Sequence, residues 1–404
     1  MNPFPPNFII LSKLHGFGFI LCILYIFFVS CQDDASSEPI EGPAQIDAII
    51  TEDYVRPPYR MGYLNSEFEE EIPAQYDEVR NFSEGRAAVN VKGFWGFIDT
   101  LGKSQIPPKY LGSWSFSSGV AKVQSAQNRK LGFVGLQGDT LIPIEYDDAR
   151  SAVFDLIPLK EGQYWGLKTL SNEVVIPFNY YDIKILSAKT AALKVTEDWM
   201  IMNIYNQDTI AENLSAVYDY TKGIIRVKNT NGKYRYLDTM GKAIFSQGAN
   251  LAYAPQNGVF VRCMTNDGCQ LFDDQEQPLS DIYERIRPLG MGRFAFYENE
   301  KWGLMDELGA TILPPQFDQL YGFSAGFAPY LKDKLWGYIS LNGDRTVDNN
   351  YGLAYPFHNG FARVLSRKGM AFLDTDLEVH LIPSGISDVR SFSQGQAAFK
   401  RPTE

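Results

Sequence analysis

The chain has 404 residues, 45% of them hydrophobic and 14% aromatic, and a formal net charge of −11. That much apolar surface excludes disorder for the bulk of the chain, because burying it offsets the entropy of ordering. The acidic balance argues against nucleic acid and anionic lipid headgroups as partners, since both repel a negative surface.

Met1 to Ser30 holds one charged side chain, Lys13, followed by the uncharged run from Gly16 to Val29. The run is shorter than the roughly 20 residues a membrane-spanning helix needs. Residues 1–30 therefore read as an export signal, with a membrane anchor or buried helix as the alternative. Phe28-Val29-Ser30-Cys31 resembles the lipobox of bacterial lipoproteins. That resemblance implies acylation at Cys31, where each buried methylene adds about 0.8 kcal/mol to anchoring. Gln32-Asp33-Asp34 is similar to the surface-export signals of Bacteroidota lipoproteins. The implied address is the cell envelope, at the outer membrane and exposed on its surface. Residues 31–52 are polar and poor in apolar side chains, a tether ahead of a β domain over 53–404.

From there one pattern recurs. Taking the glycine of Trp95-Gly96 as the phase marker, the equivalent positions are Gly62, Gly96, Gly132, Gly166, Met200, Arg235, Gln270, Gly303, Gly337 and Ala371. Their spacing stays close to 34 residues, so the chain is a tandem array of about ten units. In each unit a period-2 strand such as Ala87-Ala-Val-Asn-Val91 precedes a turn, Lys92-Gly93, and a returning strand, Trp95 to Asp99. The glycine between them leaves room for a ring or another backbone to cross. Asp99-Thr-Leu-Gly102 and its echoes at Asp238, Asp306 and Ser340 carry the signature of a hairpin turn, which makes these aspartates structural. A third strand runs into Ile106-Pro-Pro-Lys-Tyr110, where proline is expected to end it. Phe116-Ser-Ser-Gly119 then opens the next unit, as do Phe323, Phe357 and Phe392 in theirs.

The pairs Trp95-Gly96, Trp165-Gly166, Trp302-Gly303 and Trp336-Gly337 resemble the WG-repeat family. The resemblance covers about Tyr59 to Lys400 and fades where Met200, Arg235 and Gln270 replace the glycine. It implies an all-β repeat scaffold with no common catalytic residue. The array begins with half a unit near Gly62 and finishes with the complementary half, Phe392 to Phe399. These halves either cap an open β superhelix or pair to close a propeller-like ring. Three strands in 34 residues favour the open array, because a propeller blade usually has four strands and about 40 residues.

Chemistry is sparse. His358 and His380 stand in unrelated phases, which gives no metal cage, and no phosphate-binding or nucleophile motif appears. No cofactor is expected. The acidic groups around Glu69, Asp273 and Asp374 lack calcium-loop spacing and read as solvated. Cys263 and Cys269 flank a tight turn, so either a hairpin disulfide or two buried thiols fits. Trp114, Trp199, Tyr220 and Tyr253 lie outside the shared aromatic positions and are candidate partner contacts. The expected function is a non-catalytic, lipid-anchored scaffold for a protein or glycan partner of the envelope. Recognition is expected to concentrate between about Ala192 and Pro278. The alternatives are an envelope polysaccharide hydrolase using two carboxylates, and a structural spacer.

Overall fold

A computed structural model describes residues 54–264 and 267–403, all within one compact unit, Gly42–Glu404. The signal, the tether and Cys31 lie outside the described residues. Every regular element among the described residues is a β-strand, and every pairing is antiparallel. The all-β expectation holds.

Ala87–Val91 and Phe94–Ile98 form the hairpin read from the sequence, with Asn90 opposite Trp95. The third strand departs from expectation. Ser104–Ser113 runs straight through Pro107 and Pro108, its first half pairing with Phe94–Ile98 and its second with Val120–Ser125 of the next unit. Elsewhere the same strand is interrupted by one residue at Asp77, Asp147 or Asp318, and its short tail still pairs with the next unit. Sheets such as the one spanning Arg285 to Phe317 therefore have four strands, the first being the tail that the preceding unit contributes.

Proline does not end the strand because it sits in a bulge, where no ladder donor is required. Trp95 faces Tyr110 and Phe97 faces Ile106, so three residues lie opposite Gly96 alone. The same register surrounds Gly62, Gly132, Gly166, Gly303 and Gly337. A Cβ on Gly96 would stand 2.4 Å from the Ile106 carbonyl oxygen, and one on Gly337 2.4 Å from that of Val347. Only glycine fits beneath that overhang.

Two carboxylate devices hold the turns. Asp99 Oδ1 accepts from the amides of Leu101 and Lys103, with Gly102 at φ +80°. Asp238, Asp273, Asp306 and Asp374 do the same in their units. Asp77 Oδ2 accepts from the Lys92 amide, and Asp147 and Asp318 from those of Gly162 and Asp333.

The core lies between units. Trp95, Phe97 and Ile106 of one unit pack with Phe116, Ala121 and Val123 of the next. Tyr59–Leu64 pairs with Ala397–Pro402 over six residues, placing strands from the two ends of the described chain in one sheet. Leu64 shares a buried cluster with Phe372, Phe392 and Phe399.

Candidate functional site

Neighbouring units are joined by two repeated hydrogen bonds. Ser83 Oγ donates to the carbonyl of Phe116 at 2.7 Å, and Ser117 and Ser324 donate to those of Ala152 and Phe357. Ser393 makes the same bond to Phe82 at 2.7 Å.

The second bond comes from a cation. Arg150, Lys184 and Arg287 donate to the carbonyls of Ile183, Val217 and Leu320 in the following unit. They also cover Trp165, Trp199 and Trp302 at 4.4, 4.7 and 4.3 Å. Where an aromatic ring replaces that cation, as at Trp114, Tyr218 and Tyr355, a cation eight residues later takes over. Lys122, Arg226 and Arg363 cover those rings and donate to Ala149, Ala252 and Val389. Arg390 donates to Val79 at 2.7 Å. Burial pushes the ammonium pKa of Lys122 and of Lys184 down, so each depends on its carbonyl and ring for stabilisation.

A cleft of about 450 Å³ opens across three of these junctions, at Arg150, Lys184 and Tyr218. Its origin is a change in packing. Phe82, Phe116, Phe323, Phe357 and Phe392 are all buried plugs at the start of their units. Ala152, Leu186 and Tyr220 occupy that phase here, and the two larger ones line the cleft. The turn beside it is also unusual. Glu84-Gly85, Ser118-Gly119, Ala325-Gly326 and Gln394-Gly395 use glycine as the second left-handed residue, whereas here Phe154 and Asp155 stand at φ 54° and 61°. A non-glycine residue held there stores on the order of 1 kcal/mol or more of strain. Its effect is to hold Phe154 out at 55% exposure, on the cleft wall. Tyr218 is 38% exposed and stacked on Tyr234, while Arg226 pairs with Asp219 at 2.6 Å. Aromatic faces beside partly dehydrated cations suit a ligand with apolar faces and polar or anionic groups.

The sequence-derived candidates divide. Trp95 and Trp165 are buried, Trp302 and Trp336 half-buried, and all four sit in one environment, under a cation or beside a tyrosine. Trp199 belongs with them. It is 8% exposed beneath Lys184, so its reading as a free contact is corrected: it keeps the phase of Trp95 although Met200 replaces the glycine. Trp114 is half-buried under Lys122. Tyr220 lines the cleft. Tyr253 packs in another cluster, its carbonyl accepting from the Tyr236 hydroxyl. Cys263 and Cys269 face one another across their hairpin and are joined by a disulfide. The junction cations were missed because, unlike the glycines, they alternate between two positions of the repeat, as at Arg150 and Lys122.

Asp374, Glu378 and His380 bring one ligand atom each within 4.8 Å of one another. The geometry follows from the turn. His380 Nε2 lies 2.7 Å from Asp374 Oδ2, as Gln105 Nε2 lies 2.8 Å from Asp99 Oδ2 in an equivalent turn.

Four stretches, residues 61–93, 95–127, 302–336 and 336–367, match the family described as WG containing repeat. No curated protein matches the chain. Among solved structures, one titled a eukaryotic initiation factor is 11% identical, with a TM-score of 0.47, covering 86% of this chain and 99% of its own. BamB from Moraxella catarrhalis is 10% identical, with a TM-score of 0.32 and coverage of 70% and 95%. The C-terminal WD40 domain of Sif2 is 9% identical, with a TM-score of 0.30 and coverage of 62% and 90%. No conclusion about this chain rests on likenesses of that degree. The match that carries weight is in the sequence: these four stretches, two near the start of the described chain and two nearer its end, are similar to WG containing repeats.

Proposed function

We propose that the protein is a non-catalytic binding scaffold of the cell envelope, anchored by an acylated Cys31, with about ten units closed into a ring. The closed reading, in place of an open superhelix, draws on bonds that repeat between the ends. Ser393 reaches Phe82 as Ser83 reaches Phe116, and Arg390 reaches Val79 as Arg150 reaches Ile183. Gln394 accepts from the Gly85 amide as Glu84 accepts from that of Gly119. Cysteines placed at Tyr59 and Pro402, which are paired residues, should oxidise to a monomeric cross-link without lowering the melting temperature. Failure to cross-link refutes the ring.

The binding reading rests on the cleft, where plugs are lost and a left-handed Phe154 is displayed. The turn aspartates spend Oδ1 on backbone amides, which supports scaffolding over carboxylate catalysis for those residues. The partner is a protein or glycan of the envelope; an acidic chain makes nucleic acid unfavourable. The test restores the pattern of the other units: Ala152→Phe, Leu186→Phe, Phe154→Ser and Asp155→Gly together. This variant should melt at a higher temperature yet no longer retain the component that the wild type captures from envelope extracts. Unchanged retention would sink the proposal.

A further inference from the structure

We propose that the outer edge of the strand Val379–Leu381 is a second docking site, which takes an extended acidic peptide as an added strand. The other third strands that pair regularly with the strand before them carry a bulge, and many carry proline, devices that keep a sheet edge from accepting another chain. Val379–Leu381 has neither. Its pairs run Ala371–Leu381, Phe372–His380 and Leu373–Val379 without a shift, and it is the terminal strand of its sheet. Val379 and Leu381 are 46% and 51% exposed on one face, while His380 turns inward and stacks on Phe68 at 4.9 Å.

This edge borders a cleft of about 540 Å³ that also includes Asn350, Ser366, Arg367 and Lys368. Arg367 and Lys368 are exposed on the hairpin turn, and no carboxylate lies within ion-pair distance of either among the described residues. An extended peptide would satisfy the edge through its backbone, rest apolar side chains on Val379 and Leu381, and bring carboxylates to the two cations. Tyr351, the aromatic ring in this cleft, is 5% exposed and offers no face for stacking a sugar, so the chemistry favours peptide over glycan. This site shares no residue with the cleft at Arg150 and does not depend on it.

The test is fluorescence anisotropy of the purified protein with a ten-residue peptide of alternating aspartate and valine. Binding is expected at about micromolar to sub-millimolar concentration and should weaken with added salt. Arg367→Glu with Lys368→Glu should weaken it about tenfold or more, with the melting temperature unchanged. N-methylation of alternate peptide amides should abolish binding, since it removes strand donors and leaves the protein untouched. The proposal is overturned by equal binding of a lysine-valine peptide, by unchanged affinity in the charge-reversed protein, by full binding of the N-methylated peptide, or by no binding up to about 1 mM. Binding of polygalacturonate in place of the peptide overturns it as well.

Discussion

The units built on Gly96, Gly166, Gly303 and Gly337 and those running from Trp199 to Tyr283 share a phase but differ at its marker position, which is glycine in the first set and Met200, Arg235 or Gln270, each with a Cβ, in the second. Where that atom is absent, three residues of the third strand arch over the glycine. At Met200 the arch shrinks: Trp199 faces Leu214 and Ile201 faces Ala211, leaving two residues opposite one. At Arg235 and Gln270 the third strand dissolves into isolated bridges, such as Tyr234 to Ala249 and Cys269 to Tyr283. At Ala371 the bulge disappears. The glycine therefore sets how far the third strand bends before it joins the next unit. Its loss is followed by local rearrangement while the junctions persist, since Trp199 stays covered by Lys184 and Lys184 still reaches Val217.

The largest expected effect comes from moving the missing atom. Gly96→Ala should destabilise by about 3 kcal/mol or more in urea unfolding, because its methyl group would meet backbone and not a flexible side chain. Met200→Gly should change stability by only about 1 kcal/mol. Similar losses in the two variants would break the distinction between these regions. Next in size are the junction cations. Arg150→Met and Arg390→Met each remove a charged hydrogen bond to the next unit and should cost about 1.5–3 kcal/mol. A negligible effect at Arg390 would separate the end-to-end junction from the internal ones. In the middle units, reducing Cys263–Cys269 opens a short loop and should lower stability by about 2 kcal/mol on the chain-entropy account.

The smallest effect concerns pH and belongs to the glycine-bearing units. The hydrogen bond from Lys301 holds the Asp318 carboxyl below the usual carboxylate range, and Lys130 does the same for Asp147. A carboxyl with a depressed folded pKa contributes stability that is complete above its ordinary value and lost as pH falls through the folded value. Acid titration of the melting temperature should therefore fall less steeply in Asp147→Asn with Asp318→Asn than in the wild type. An identical slope would remove these pairs from the acid response.

Much of this was legible in sequence, and the failures have physical causes. The glycine, the turn aspartates and the hairpins follow local rules, so periodicity exposed them. The third strand was cut short because a proline's missing donor was weighed without the bulge that makes the donor unnecessary at Pro107 and Pro108. Trp199 was set apart because its neighbour changed, although burial depends on phase. The junction cation escaped because Arg150 and Lys122 reach corresponding carbonyls from positions eight residues apart in phase, so no aligned column shows it. The cleft is a subtraction, visible only once Phe82 and Phe116 are known to be plugs.

The amide of Thr403 donates to the carbonyl of Pro58 at 3.1 Å, closing the gap between the outermost residues of the shared sheet. A short linker joining them, with a new opening cut at the Lys92-Gly93 hairpin tip, leaves each ladder intact. Such a permuted molecule would begin at another unit, so the place of the cleft at Arg150 relative to the chain's new ends becomes a design variable.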